Sequence, residues 1–422
     1  MLIPIILAIF VKLYLSFVVY GPLPSQFAPD ENTYAELNKW ILLGGRAADF
    51  PLSGGDLFFT ALSFNIPTIG FISLGVTPIF AIRLTSNLYS LLSILLIYRF
   101  FSDLKRANIK LGGDKYFERF TNSLIFIYLF LPSHFIWGTL GIRESANEFW
   151  LIATFYSVHQ ILFDRKKFNK YILLCLCIIL LYFSRPQIGY LAILVITCLG
   201  ITVILREKEP FFLISALGSW LLIALLNIPI NSYLQPHNSL TNQSSNSETV
   251  NLVLDEITTP IDELINLTNL QISKSQGANS AVVSIKCPDS YLTNISIICK
   301  FYQIPTSSLN YLSRPIFFVD TLDSTIKKFA AIENLFWILM SIYILTLTIK
   351  SRKYLRINLN LKILLIAFII LFISLSGLYE GNYGTAFRHK SLLLPVFLII
   401  MMVLRSDLLE HRKSKTIKKN RE

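Results

Sequence analysis

Apolar windows of roughly twenty residues recur along almost the whole chain, and no other feature restricts its folding as severely. A helix needs about 20 apolar residues to cross a hydrocarbon core roughly 30 Å thick. Inside such a core an unpaired backbone N–H or C=O is costly, so segments like these persist as helices that satisfy their own hydrogen bonds. Charge placement agrees. Only 15% of the 422 residues are charged, against 53% hydrophobic, and the charges collect between apolar stretches. The expected fold is therefore all-α, a polytopic transmembrane helical bundle of about ten spans. The spans are placed near residues 2–20, 78–101, 120–138, 145–163, 170–184, 187–205, 211–229, 332–349, 362–379 and 391–405. The run Leu2–Tyr20 is long for a secretory h-region and no small-x-small site follows, so it reads as an uncleaved first helix.

The formal net charge of +12 does not point to nucleic acid. Lys105, Arg106, Lys110, Lys115 and Arg119 fall in one short loop, Arg165, Lys166, Lys167 and Lys170 in another, and Lys350, Arg352, Lys353 and Arg356 in a third. With ten spans all three loops and the basic tail Arg412–Arg421 share one side, which the positive-inside rule makes cytoplasmic. Both termini are then cytoplasmic and the chain is a multi-pass protein of the cell (inner) membrane.

This topology leaves two long segments, 21–77 and 230–331, on the opposite, extracytoplasmic side. The expected organisation is an N-terminal transmembrane region, 1–229, whose first loop carries the chemistry; an extracytoplasmic loop or small cap, 230–331; and C-terminal helices with the basic tail, 332–422. Within the first loop Asp56–Gly75 is apolar enough to form a re-entrant or interfacial helix pair. The second loop holds sequons at Asn242, Asn266 and Asn294, read as chance occurrences in an Asn- and Ser-rich stretch. Cys287 and Cys299 can close a disulfide there if the compartment is oxidising. Cys175, Cys177 and Cys198 lie in apolar segments and read as packing residues.

Ionisable groups at helix mouths are expensive, so their positions carry information. On the extracytoplasmic side the sequence sets Asp30-Glu31 after the first helix, Arg143-Glu144 between the third and fourth spans, Arg185 between the fifth and sixth, and Arg388-His389-Lys390 before the last. Guanidinium and ammonium groups suit a lipid-borne phosphate, and a carboxylate suits a general base for an acceptor hydroxyl. Lys12, midway along the first helix, is expected to snorkel or to lie in a shifted span, with Glu148 the alternative buried partner. Pro132 and His134 read as kink or packing residues.

The order of these motifs resembles the GT-C superfamily of integral membrane glycosyltransferases, in the branch of protein O-mannosyltransferases and the lipid A aminoarabinose transferase. The resemblance rests on Asp30-Glu31-Asn32-Thr33-Tyr34, on Ala81-Ile82-Arg83-Leu84-Thr85-Ser86-Asn87, on Arg143-Glu144, on Arg185-Pro186, and on Arg388-His389-Lys390 with Pro395. It implies Asp30 as catalytic base with Glu31 assisting, and substrate contacts from Tyr34, Arg83, Arg143, Glu144, Arg185, Arg388, His389 and Lys390. The implied donor is a polyprenyl-phosphate sugar presented among membrane lipids to an extracytoplasmic acceptor, with no cofactor and no metal. Two other readings remain open: an oligosaccharide-repeat polymerase or ligase of the Wzy type, and a transporter or flippase. The acidic pair in the first loop distinguishes the chain from the former, and charges placed at one surface distinguish it from the latter.

Overall fold

The computed structural model describes residues 2–21, 30–50, 54–109, 115–163, 168–207, 211–234, 304–316, 325–351, 359–379 and 383–419. Among these there are helices and turns and no strands. Among the described residues five helices are long and apolar enough to cross a membrane, within Pro78–Leu104, Pro186–Val203, Lys328–Ser351, Leu359–Gly377 and Ala386–Leu408. Large apolar side chains face outward along several helices, among them Ile3, Phe10, Leu221, Leu335 and Leu345. Outward apolar faces of this extent fit a membrane protein, whose solvent is as apolar as its core.

The chain forms two compact units. The first comprises Met1–Gln235, Ser341–Ile369 and Ser391–Glu422. It opens with α1, Leu2–Tyr14, which continues as a short π-helix over Leu15–Val19. There follow α2, Asp30–Leu42; α3, Gly54–Phe59; α4, Leu62–Ser73; and α5, Pro78–Ile109. Next come α6, Lys115–Phe130; α7, Pro132–Trp137; α8, Glu144–Phe163; α9, Phe168–Tyr182; α10, Pro186–Glu207; and α11, Phe211–Leu234. The described residues between 30 and 77 thus include three α-helices, of which α3 and α4 lie between residues 54 and 73.

Local chemistry sets the boundaries. α4 stops in a glycine cap: Gly75, at φ +90°, lets its N–H reach the Ile72 carbonyl and the Val76 N–H reach that of Phe71. This pair of bonds satisfies carbonyls that a helix end otherwise leaves open, and an L-residue resists that φ. Pro78 and Pro186 each open a helix, where the missing N–H costs nothing. Pro132 does the same and corrects the expectation of one continuous helix over 120–138. Leu131 before it is extended, at φ −61° and ψ 123°, so α6 ends and α7 begins afresh.

α5 is the spine of this unit, packing against α2, α4, α8 and the C-terminal helix Leu394–Lys419. α8 packs against it, α9 packs on α8, and α10 and α11 pack on α9 and on each other. Gly189 shows how closely α10 approaches α9, since a Cβ there would lie 2.5 Å from the Tyr182 Cα. Thr85, Thr154, Ser157 and Ser219 donate to the carbonyl four residues earlier, which satisfies each hydroxyl within its own helix. Cys177 is buried as expected of a packing residue, whereas Cys198 is exposed on α10.

The second unit comprises Pro236–Met340 and Ile370–Lys390. Its described part includes a helix over 304–313 and the helix Tyr383–Lys390. Gly377 admits the first of these: a Cβ there would sit 2.8 Å from the Ser307 carbonyl carbon. The sequons, Cys287 and Cys299 lie outside the described residues.

Candidate functional site

α2 begins on two adjacent carboxylates with opposite fates. Asp30 is exposed, while Glu31 is fully buried. A buried carboxylate is tolerated only when its charge and lone pairs are met. Here Arg83 of α5, also fully buried, closes a fork on it, with Nε 2.9 Å from Oε1 and Nη2 2.9 Å from Oε2. The Gly141 N–H donates to the same Oε1 at 2.7 Å. The remaining face of Arg83 turns to the end of α1, where Nη1 donates to the carbonyls of Ser16 at 3.0 Å and Gly21 at 2.5 Å. One guanidinium thus joins the end of α1 to the start of α2.

The helix period explains why the motif Ala81–Asn87 places its polar residues as it does. Arg83 and Asn87 are four apart and share a face. Asn87 Nδ2 donates to Ser16 Oγ at 2.8 Å, and Ser16 Oγ donates to the Thr139 carbonyl at 2.8 Å. Both residues grasp the π turn of α1, and neither faces open surface.

The turns carrying Arg143 and Arg185 lie at this same end of the unit. Half-buried Arg143 donates from Nη1 to Thr60, 3.3 Å from both its carbonyl and its hydroxyl. The Ser63 N–H donates to the Phe183 carbonyl at 3.2 Å. Ser184 Oγ donates to Asn147 Oδ1 at 2.5 Å, tying the turn that holds Arg185 to the first turn of α8. Of the four stretches expected to converge, those of Asp30, Arg143 and Arg185 are linked through hydrogen-bonded neighbours in the first unit, and Arg388 belongs to the second. Glu144, the first residue of α8, is buried. Tyr34 is buried and packs edge-on against Phe64 at 5.6 Å between ring centroids, within an apolar cluster that includes Ile82 and Tyr89.

Arg388, His389 and Lys390 end the helix Tyr383–Lys390 in the second unit. Lys390 is engaged within that unit: Nζ donates to Asn334 Oδ1 at 2.6 Å and to the carbonyls of Leu312 and Arg314 at 3.2 and 3.4 Å. Asn334 Nδ2 in turn donates to the Pro315 carbonyl at 3.1 Å. The buried ammonium is a strut for the end of the 304–313 helix.

Charges also lie inside the first unit, which departs from the expectation that they stay at one surface. Lys12 does not snorkel. It is 2% exposed and donates to Ser90 Oγ at 2.6 Å, with Glu148 as the neighbouring opposite charge. Both Glu148 oxygens are 2.8 Å from His134 Nε2, and Tyr128 donates its hydroxyl to the same carboxylate. His134, read from sequence as a packing residue, is thus a polar partner of α8. Lys362 and Asp407, 1% and 0% exposed, pair between the Leu359–Tyr379 helix and the C-terminal helix. Sequence offered one signal for these groups, since a lone charge in an apolar run demands a partner.

Among the described residues no group of three or more His, Cys, Asp or Glu is placed to hold a metal ion. No family model, curated protein or solved structure matches the chain.

Proposed function

We propose that the chain is an integral membrane glycosyltransferase that moves a sugar from a polyprenyl-phosphate donor to an extracytoplasmic acceptor. One observation carries the reading: an exposed carboxylate, Asp30, stands on a rigidly anchored helix start whose neighbouring turns bring Arg143 and Arg185 to the same end of the bundle. The resemblance to the GT-C branch supplies the reaction class, and the chemistry matches the parts. The acceptor oxygen attacks the anomeric carbon, and the carbon–oxygen bond to phosphate breaks with its electron pair leaving on polyprenyl phosphate. Asp30 takes the hydroxyl proton as the new bond forms. Arg143 and Arg185 hold the phosphate and offset the charge that develops on it. In this reading α3 and α4 lie along the membrane surface, ten helical segments cross it, and both termini are cytoplasmic.

The test is kinetic. Arg143→Ala and Arg185→Ala, assayed in reconstituted vesicles, are expected to raise the donor KM about tenfold or more, the scale of one charge-assisted contact, with the acceptor KM little changed. An effect confined to the acceptor would remove the phosphate role. A transport reading draws on a different observation, the buried Lys12, His134 and Glu148 group, because ionisable residues inside a membrane bundle often line an ion path. In the same vesicles, solute uptake abolished by Glu148→Gln, with no sugar transferred by the unaltered chain, would favour transport.

A further inference from the structure

Arg83 and Glu31 are fully buried, yet they tie together the helix start that bears Asp30 and the turn that leads to Arg143. Glu31 follows Asp30 directly in the first turn of α2. Its Oε1 is shared between Arg83 Nε at 2.9 Å and the Gly141 N–H at 2.7 Å, and Gly141 stands two residues before Arg143. A Cβ at Gly141 would lie 2.5 Å from Ile82 Cγ1 and 3.1 Å from Glu31 Oε1, so the turn closes on the carboxylate with no room to spare. Arg83 Nη1 meanwhile fixes the end of α1 through Ser16 and Gly21.

We infer that the Arg83–Glu31 pair sets the spacing between the base and the phosphate-holding turn, so that both act as positioning residues and neither contacts substrate. This rests on the transferase reading for its consequence, though not for its geometry. A guanidinium is required because four hydrogen bonds leave it in two directions: the fork to Glu31 and the carbonyl contacts to α1. A lysine retains the charge but presents a single nitrogen at the end of a flexible stem. Misplacing reacting groups by about 1 Å costs on the order of a hundredfold in rate.

The experiment compares the full-length chain with Arg83→Lys and Glu31→Gln in lipid nanodiscs, with two readouts. Steady-state transfer is expected to lose about a hundredfold in kcat while the donor KM moves by less than about threefold. A raised donor KM with kcat retained would make Arg83 a substrate contact and overturn the inference. Hydrogen exchange of the amides of residues 30–34 and 141–145 is expected to accelerate at least about tenfold in Arg83→Lys relative to the unaltered chain, local opening being the motion the pair suppresses. Unchanged exchange at both segments would overturn the inference whatever happens to activity. If the unaltered chain transfers no sugar but exchange accelerates as stated, the clamp stands and the transferase reading alone falls.

Discussion

Asp30→Asn should abolish sugar transfer while leaving the amount of protein in the membrane unchanged. The substitution keeps the size of the side chain and its place in the first turn of α2, and removes the negative charge and with it the capacity to take a proton. A positioned general base contributes about 10²- to 10⁴-fold to rate, so the residual activity should fall at or below the hundredth part. The fold should tolerate the change because Asp30 is exposed, and the anchoring of α2 belongs to its neighbour Glu31. Transfer measured on purified protein beside immunodetection in membranes separates the two effects. Full activity in the variant would leave the site without its base.

The largest effect on stability is expected at the opposite extreme of burial. Lys362 stands near the start of one helix and Asp407 midway along another, and the two side chains meet with at most 1% exposure. Removing one partner leaves the other charge buried and uncompensated, which costs about 3–5 kcal/mol, whereas replacing both with apolar residues of similar volume is often neutral or favourable. Lys362→Met alone should therefore lower the melting temperature in detergent markedly. Lys362→Met combined with Asp407→Leu should recover most of the loss. A double variant as unstable as the single one would mean that the pair is not the source of the effect.

The helices were legible because their cause is local. Apart from the break at Leu131 the apolar windows fall largely on helix, five of the described helices are long and apolar enough to cross a membrane, and the prolines at 78 and 186 open helices as a residue without an N–H should. Pro132 carried the same signal, yet a hydropathy window runs across it without notice. The pairing of charges was far less legible. Glu31 and Arg83 are 52 residues apart, and nothing in either segment states that the acid after the first helix will turn inward while Asp30 turns out. Which of two adjacent carboxylates faces α5 depends on where α2 docks, a matter of packing. Lys12 is similar: the sequence shows an expensive charge, and the packing of α1 against α5 decides that Ser90 receives it. Conversely, Tyr34 and Arg83 attract notice through their motifs, and the structure uses both as internal ties.

The two layers of chemistry differ in what a substitution should do. Inside the bundle, Glu148, His134 and Tyr128 form a buried hydrogen-bonded group, so changing one disturbs helix packing. At the end of the bundle, half-buried Arg143 and Arg185 remain within reach of the surface, where a change alters binding before it alters the fold. The contrast keeps kinetic variants interpretable, because the residues proposed to meet the donor are separate from those that hold the helices together.

All of this turns on Asp30, Arg143 and Arg185 sharing one extracytoplasmic face. Single cysteines at these positions and at Lys350, in a chain whose own cysteines are replaced by serine, can be offered a membrane-impermeant thiol reagent from outside intact cells. The account predicts labelling at 30, 143 and 185 and none at 350 until the membrane is opened. Labelling split among the first three would contradict it, because an odd number of crossings between any two would dismantle the proposed site.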